Sequence, residues 1–367
     1  MIEIEMIDEE VAVYDITVEE NHNFFANDIL VHNCQEIVIP SKPSVYKDCK
    51  LETYFDQCYR SDINQETIPS KIEFSEPGEI GLCNLASINL DTWYDMSESE
   101  KQSLAYNLCR SFDNGISNQF YPIVDSMYSN VRRRPIGIGA FNLAKLLARL
   151  GIKFTDDDAK EIVHSIFEDL TWYVLHASVK LAKERRPYST IKGSKWYEGK
   201  VPMDVSILHN KVGNKRPDLN RHLYKDWDQL RELISIYGVR FSYHFAIAPT
   251  ANSVKALNAT ESTEPVLKIS SREEGTFSLP TIAPGLNKGY EYQIAWEIPS
   301  KTLIELAAIR QKFLDQSQSV NLYYKKPDST QELLKDIMYF QLLGGKTLYY
   351  MKTPKQGEFE VCESCAT

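Results

Sequence analysis

The sequence lacks the features that direct a chain into or across a membrane. No apolar run in its 367 residues approaches the roughly 20 residues that span a bilayer. No basic and then apolar leader follows Met1, so nothing in the sequence predicts export. The 7 cysteines are widely scattered, which fits a reduced chain better than a disulfide scaffold. We therefore expect a cytoplasmic protein without a membrane partner.

Positive charge is also in short supply. The formal net charge is −10, and binding to a nucleic-acid backbone needs clustered Lys and Arg, so no nucleic-acid partner is expected. The 7 histidines are isolated from one another, and no metal site is predicted. Hydrophobic residues make up 43% of the chain, enough for a sizeable core in one large or two ordinary domains. Composition alone therefore excludes classes of protein without assigning one.

What the sequence does contain, first of all, is the junction Val31-His32-Asn33-Cys34. The Asn33 side-chain amide can attack its own carbonyl carbon, which closes a succinimide and releases whatever follows. His32 is placed to transfer protons in that step, and the Cys34 thiol can accept an acyl group. A hairpin loop that happens to have this sequence is the alternative, and four residues alone favour it.

The residues before the junction change that balance. Residues 13–18 alternate as a half-buried strand does, residues 21–27 predict a turn, and residues 28–31 predict a second short strand. The strings YDI, HNFFAN and VHN follow one another here in this order, directly before a Cys. Order and spacing together favour the backbone chemistry over a chance loop.

Residues 1–33 resemble the C-terminal segment of an intein. The resemblance implies a short all-β unit in which His22, His32 and Asn33 take part in splicing, with Cys34 as the acceptor. An intein also needs a first nucleophile, which this chain does not carry at Met1. The resemblance therefore implies the C-terminal half of a split intein, whose other half lies on another polypeptide.

Beyond the junction, apolar strands alternate with amphipathic helices. Strands are predicted at residues 35–39, 241–247 and 346–350. Helices are predicted at residues 98–119, 141–150, 155–184, 227–237, 302–316 and 330–343. Gly137 and Gly139 lack the third glycine and the acidic residue of a dinucleotide site, so close packing at a helix start explains them better.

A second candidate site is the turn formed by Pro249, Thr250, Ala251, Asn252 and Ser253. It follows a predicted strand and precedes a predicted helix start. Pro near the first helical position and short polar side chains beside it leave several backbone N–H groups free to face an anion. An ordinary capped helix start explains the same residues equally well. Both interpretations stay open on these residues alone.

The end of the sequence carries a pair of thiols, Cys362 and Cys365, in a CxxC arrangement. Residues 355–367 lack periodicity and are expected to be mobile. The pair can supply half of a zinc site, but neither a second CxxC nor paired histidines are present. A dithiol on a mobile segment suits exchange between a buried disulfide and an external reductant, and this interpretation is favoured over zinc.

Several motifs after the junction occur together in one order. They are CQEI followed by a Pro, GEIGLCNLASINL, RRPIGIGAFNLA, APTANS with NATESTEP, FLDQSQS, KTLYY and the terminal CESC. The set spans essentially all of residues 34–367 and resembles the C-terminal half of the large, catalytic subunit of class I ribonucleotide reductases. This implies the later part of a ten-stranded α/β barrel at residues 34–351, followed by a mobile redox tail at residues 352–367. The strand and helix alternation is compatible with such a barrel but does not establish it.

The resemblance also implies roles for the candidate residues. Cys34 matches an active-site thiol that becomes part of a disulfide as the ribose is reduced. Residues 249–253 match the turn that binds the substrate diphosphate. Tyr349 and Tyr350 match an adjacent pair that relays a radical between the small subunit and the active site. Ser262, in NATESTEP, departs from the family pattern, because relatives often have Gly there.

Partners follow from the same resemblance. Cys362 and Cys365 match the tail dithiol that reduces the active-site disulfide and is regenerated by thioredoxin or glutaredoxin. The radical comes from a metal-containing small subunit, so no cofactor is expected on this chain itself. The substrate is a ribonucleoside diphosphate, and a large-subunit dimer is expected. The radical-bearing cysteine and the ATP-binding regulatory regions lie upstream, on the N-terminal half, so this chain is expected to be inactive alone. A gene split in this way suggests a phage or a bacterium that carries mobile elements.

Three hypotheses result. The chain is a precursor that splices in trans into a reductase large subunit, or its intein segment is inactive and the two halves assemble without a covalent bond. In the third hypothesis it is a nucleotide-binding module without chemistry. Intact His32, Asn33 and Cys34 favour splicing over an inactive segment. The tyrosine pair and the tail dithiol, which binding alone does not need, disfavour the third.

Overall fold

A computed structural model describes the backbone of most of the chain. The described residues are 23–26, 29–32, 41–42, 45–46, 74–76, 78–82, 84–121, 123–250, 254, 256–272, 280–325 and 330–354. The chain divides into two compact units, Met1–Gln35 and Glu36–Thr367. The boundaries predicted from the sequence, after residues 33 and 351, stay predictions.

The described residues of the first unit form a hairpin. Strand β1 (Asn23–Ala26) pairs antiparallel with β2 (Ile29–His32), and Asn23 lies opposite His32. The second of these strands was predicted, but residues 23–26 form a strand where the sequence predicted a turn. Adjacent Phe24 and Phe25 explain the difference, because aromatic side chains favour extended backbone. The predicted strand at residues 13–18 lies outside the described residues.

The second unit mixes helices and strands. Two short strands, β3 (Val45–Tyr46) and β4 (Phe74–Glu76), pair antiparallel. The later elements are, in chain order, β5 (Leu85–Asn89), α1 (Leu90–Asp95), α2 (Glu98–Asn118), α3 (Val124–Arg133), β6 (Gly137–Phe141), α4 (Leu143–Leu150), α5 (Asp157–Arg185), α6 (Pro202–Val205), α7 (Trp227–Tyr237), β7 (Ser270–Arg272), β8 (Pro280–Ile282), α8 (Ser300–Gln311), β9 (Leu322–Tyr323), α9 (Thr330–Leu342) and β10 (Met351–Lys352). In the described part of the chain, no helix is both long enough and apolar enough to cross a membrane.

Local sequence accounts for the predicted helix ends that are confirmed. Helix α2 begins after Ser97, whose hydroxyl accepts from the backbone N–H of Glu100 while the Glu100 carboxylate accepts from the backbone N–H of Ser97. This reciprocal cap is readable as the pattern S-x-x-E. Helix α8 ends at Gln311, earlier than predicted, because hydrogen bonds to residues distant in the sequence fix the residues that follow it. The Asp315 carboxylate accepts from the backbone N–H groups of His244 and Phe245, at 2.8 Å each.

A row of parallel extended segments organises the second unit. It begins with β5 and β6, which pair in parallel from Leu85 opposite Gly137 onward. The backbone bonds of β6 continue to the next segment, where Ile138 N–H donates to the His244 carbonyl at 2.7 Å and Ala246 N–H donates to the Ile138 carbonyl at 3.3 Å. The predicted strand at 241–247 is thus an extended segment that is hydrogen-bonded on both sides. Within this segment, the one isolated β-bridge that the described residues form joins Ile247 to Gln318.

The row continues with the segment that contains Ser319 and β9, and then with β10. Ser319 N–H donates to the Ile247 carbonyl at 2.8 Å, and β9 pairs in parallel with β10. Helices separate the successive segments, so the arrangement belongs to the α/β class. A closed ten-stranded barrel is not shown by the described residues and stays a prediction.

Gly139 is needed for the close approach of two of these segments. A Cβ atom at this position would lie 2.6 Å from the Ala246 carbonyl oxygen and 3.1 Å from the Ile247 Cα atom. Backbone on the facing segment cannot yield as a flexible side chain can, so only glycine fits. The close packing expected of the two glycines is confirmed for Gly139, but it occurs inside a buried strand and not at a helix start.

Candidate functional site

The predicted anion turn lies where the extended segment 241–247 ends. Pro249 is exposed and Thr250 is buried. The Thr250 carbonyl accepts from the backbone N–H of Val254 at 3.1 Å, which is the first helical hydrogen bond of the turn. A helix start at this position is therefore confirmed. Residues 251–253, Ala251, Asn252 and Ser253, lie outside the described residues.

A cavity of about 310 Å³ borders this turn. Its walls come from β5, from Phe141 at the end of β6, and from the turn itself with Val254 and Leu257. None of the described lining residues carries a charge. An anion held here would therefore depend on backbone N–H groups and hydroxyls, as the sequence interpretation requires.

Asn142 connects the turn region to the end of β6. Its backbone has a φ of +74°, in the left-handed region, which Asn tolerates better than most residues. Its side-chain oxygen accepts from Thr260 N–H at 2.9 Å, and its own N–H donates to the Thr260 carbonyl at 3.1 Å. Its amide nitrogen donates to the Asn89 side chain at 2.9 Å. The only sign of Asn142 in the sequence is its place in the motif RRPIGIGAFNLA, which by itself predicts no role for it.

Ser262 adopts a backbone conformation that favours glycine. Its φ is +45°, which costs an L-residue about 1 kcal/mol. Its N–H donates to the Thr250 hydroxyl at 2.8 Å, so this strained loop directly supports the anion turn. The departure from Gly noted in the sequence thus falls at a position where Gly is favoured on conformational grounds.

Glu264 connects the loop that contains Ser262 to strand β9. This carboxylate is buried, and burial raises its pKa above the ordinary value. It accepts from the Tyr323 phenol at 2.7 Å and from the backbone N–H of Asn321 at 3.3 Å. Because Tyr323 lies in β9, the bonds join the loop at 258–264 to the strand that pairs with β10. Nothing in the sequence around Glu264 predicts this role.

Tyr349 and Tyr350 lie directly before strand β10. Tyr349 N–H donates to the Val320 carbonyl at 2.8 Å, and the Tyr350 carbonyl accepts from Leu322 N–H at 2.9 Å. Their ring centroids are 4.2 Å apart with an interplanar angle of 57°. The Lys352 ammonium lies 5.9 Å from the Tyr350 ring centroid and 5.8 Å from the Tyr323 ring centroid. The sequence predicted a strand at residues 346–350, but the structure assigns strand only to Met351–Lys352, and the two tyrosines lie in the extended segment directly before it. The pair is therefore held in contact on a segment that is connected to the anion turn through Glu264.

The structure places only some of the predicted site residues. Pro249 and Thr250 border the cavity, the two tyrosines contact each other, and His32 ends strand β2. The others lie outside the described residues: His22, Asn33, Cys34, Ala251, Asn252, Ser253, Cys362 and Cys365. Their roles stay predictions.

Parallel segments joined by helices, with a polar turn and a cavity where one segment ends, are typical of α/β domains that bind ligands at the ends of their strands. A family model of the ribonucleotide reductase barrel domain matches residues 10–351. The chain belongs to this family and carries the barrel domain of a class I large subunit over most of its length. The family resemblance of the segment after the junction is thus confirmed, whereas the intein assignment of residues 1–33 stays a prediction.

Named relatives agree with the family. The ribonucleoside-diphosphate reductase subunit alpha of Buchnera aphidicola subsp. Schizaphis graminum is 34% identical over 319 residues, which cover 83% of this chain and 40% of that protein. The subunit alpha of Chlamydia trachomatis is 31% identical over 313 residues, 75% of this chain and 30% of that protein. The large chain of Encephalitozoon cuniculi is 31% identical over 351 residues, 82% of this chain and 44% of that protein. The chain thus spans less than half the length of these relatives.

Proposed function

We propose that this chain supplies the later part of a ribonucleotide reductase large subunit, which reduces ribonucleoside diphosphates to deoxyribonucleoside diphosphates. Family membership supports the reaction class, and the names of the relatives support diphosphates as substrates. The single observation that carries the proposal is the contact of the Tyr349 and Tyr350 rings on a segment linked to the anion turn. A binding module has no need of such a pair.

Each group has a distinct chemical task in the proposal. Residues 249–253 bind the diphosphate through backbone N–H groups and hydroxyls. Cys34 and a second thiol, from the upstream half of the subunit, supply two electrons and two protons. The ribose loses its 2′-hydroxyl as water, and the two thiols become a disulfide. The tail dithiol, Cys362 and Cys365, reduces that disulfide by exchange and is itself reduced by thioredoxin or glutaredoxin.

The two tyrosines transfer oxidising equivalents. Tyr350, 45% exposed, is the more accessible of the two and is proposed to react first with the radical that a small subunit delivers. Tyr349 is half-buried and follows it. Each phenol gives up one electron and one proton and regains both when the radical moves on. The metal that generates the radical belongs to the small subunit, and the large subunit is proposed to act as a dimer.

Residues 1–33 are proposed to splice this chain to its upstream half. His22 and His32 assist proton transfer, Asn33 cyclises, and Cys34 becomes the first residue of the ligated segment. Cys34 would then serve first in splicing and later in catalysis, so an unspliced precursor has an incomplete active site. Non-covalent assembly of the two halves is the alternative.

The test is an intact mass measurement after this chain is mixed with the polypeptide that carries the upstream half. We expect a new species that contains residues 34–367 joined through Cys34, together with a released fragment of residues 1–33. Asn33→Ala is the matched control, because it removes the amide that cyclises and leaves Cys34 in place. Two unchanged masses with the unaltered chain would contradict splicing and leave the non-covalent pair.

Cys34→Ser is expected to affect both reactions. A hydroxyl is a poorer acyl acceptor than a thiol, so splicing should be slow at best. The ligated Ser variant should not turn over with the physiological dithiol, because serine cannot form the disulfide. Deoxynucleotide formation is the measurement, with thioredoxin and its reductase as electron source. Repeated turnover by that variant would refute the redox role of Cys34.

A further inference from the structure

A larger cavity, of about 670 Å³, lies away from the anion turn. Its walls come from residues 188–207, which include the loop before α6 and α6 itself, from residues 242–243, 311 and 314–315, and from residues 344–346 shortly before the tyrosine pair. Five of its lining side chains are basic, namely Arg133, Lys192, Lys195, Lys200 and Lys346, and one is acidic, Asp315. We name it the basic cavity. None of the proposed reaction steps uses it.

Part of this positive charge is not neutralised. Glu79 pairs with Arg133. Glu198 lies 3.2 Å from Lys195 and 2.7 Å from Lys200, so one carboxylate serves two lysines. Lys192 makes no ion pair with any residue that the structure describes. The Lys346 ammonium donates to backbone carbonyl oxygens, of Asp315 at 2.7 Å and Gln316 at 3.2 Å. A surplus of positive charge on a chain of net charge −10 favours an acidic ligand.

The walls of the basic cavity favour a peptide over a nucleotide. Among the aromatic lining residues, Tyr188 and Trp196 are buried, 4% and 6% exposed, and Tyr243 is half-buried, so little ring surface is left on which a base could stack. Val205 and Ile207 are instead 54% and 40% exposed and present an aliphatic surface. A wall of this kind accepts apolar side chains of a peptide.

Unpaired hydroxyls add hydrogen-bonding capacity to the same walls. The side-chain oxygens of Thr190 and Ser242 are buried and have no hydrogen-bond partner among the described residues. A buried hydroxyl without a partner is costly, whereas a peptide backbone can satisfy it.

The chain itself contains a segment with matching chemistry. Residues 358–361 read Glu-Phe-Glu-Val, and residues 355–367 contain three glutamates and one lysine. Lys346 lies six residues before Lys352, so the two are at most about 20 Å apart. Phe359 lies seven residues after Lys352 and can therefore reach back to the basic cavity when that part of the chain is extended.

We propose that the basic cavity is a docking site for residues 358–363 of the same chain. Phe359 and Val361 would pack on the exposed aliphatic wall, and the glutamates would face the lysines of the rim. Docking gives the tail dithiol a defined resting position, and its release then depends on charge and salt. This inference does not rest on ribonucleotide reduction, because its test reads a contact and not an activity.

The test is a photo-crosslink in the full chain, with p-benzoylphenylalanine in place of Phe359 and, in a second preparation, of Val361. We expect intramolecular crosslinks, located by mass spectrometry, on residues 192–207 and 344–346. The yield should fall at least about fivefold in a Lys192→Glu/Lys195→Glu double variant, because two rim charges reverse. It should also fall when the salt concentration is raised.

The matched control is Lys153→Glu/Lys288→Glu, which changes the net charge equally at two exposed lysines outside the basic cavity. This variant should keep the crosslink yield. Equal losses in both double variants would show a general charge effect and overturn the proposal. Crosslinks elsewhere on the chain, none at all, or crosslinks between two copies would overturn it as well.

Discussion

Replacing Tyr350 by Phe is expected to stop the reduction of ribonucleoside diphosphates by the assembled enzyme. The variant keeps an aromatic ring 4.2 Å from that of Tyr349 and near the Lys352 ammonium, so the local packing should survive. It loses only the phenolic O–H, and with it the electron and proton that the residue exchanges in the proposed radical transfer. We expect a loss of about a thousandfold or more in turnover, which corresponds to about 4 kcal/mol in the barrier.

The measurement is deoxynucleotide formation with the small subunit and a thiol reductant present, alongside substrate binding and the mass of the spliced product. The last two should be unchanged, because neither involves the phenol. Tyr197→Phe is the matched control, since Tyr197 is 59% exposed and lies far along the chain from the pair. Normal turnover by the Tyr350 variant would refute the radical-transfer role.

Asp113→Ala is expected to give the largest loss of stability. Asp113 lies in α2 and is fully buried, and three guanidinium groups surround its carboxylate. Arg134 lies 2.8 Å away, Arg185 2.6 Å and Arg240 2.5 Å. Alanine would leave Arg134 and Arg240 with little solvent and no counter-charge. Removing one partner of a buried ion cluster costs about 3–5 kcal/mol, a large share of the stability of a domain.

The pH dependence identifies the charge as the cause. Burial alone would raise the pKa of Asp113, but hydrogen bonds from Arg240 and Arg185 and the charge of Arg134 outweigh it and hold the pKa below its ordinary value. The stabilising effect is therefore present above about pH 4 and is lost as the pH falls through the folded-state pKa. The difference in unfolding free energy between the unaltered chain and the Ala variant should shrink accordingly at acid pH.

Urea unfolding followed by circular dichroism measures both effects. Asp95→Ala is the control, because Asp95 is exposed and pairs with Arg149 at 3.1 Å, a contact worth about 0.5 kcal/mol. A loss below about 1 kcal/mol at neutral pH for the Asp113 variant would show that the three arginines find other partners.

The candidate site was only partly readable from the sequence. The turn at Pro249 and Thr250 could be proposed because its residues are contiguous and typical of a helix start. The tyrosine pair, by contrast, became a candidate only through family resemblance, since two aromatics on a strand are ordinary core residues. Glu264 and Asn142 were missed because their partners, Tyr323 and Thr260, are more than 50 residues away in the chain.

What the sequence determined by itself is local. Helix α2 follows from the cap at Ser97 and from apolar spacing, and α5 and α7 from the same spacing, because each backbone bond in a helix joins residues four apart. The order of motifs likewise determined the family.

Tertiary structure decided the rest, because those interactions join distant residues. The requirement for glycine at position 139 comes from the carbonyl of Ala246 on another segment, and no pattern around residue 139 contains that contact. Asp113 contacts arginines that are 21, 72 and 127 residues away in the sequence. The residues around Asp113 in its helix therefore do not predict this cluster of charges. The early end of α8 has the same origin, since the bonds from His244 and Phe245 to Asp315 exist only once the parallel segments have come together.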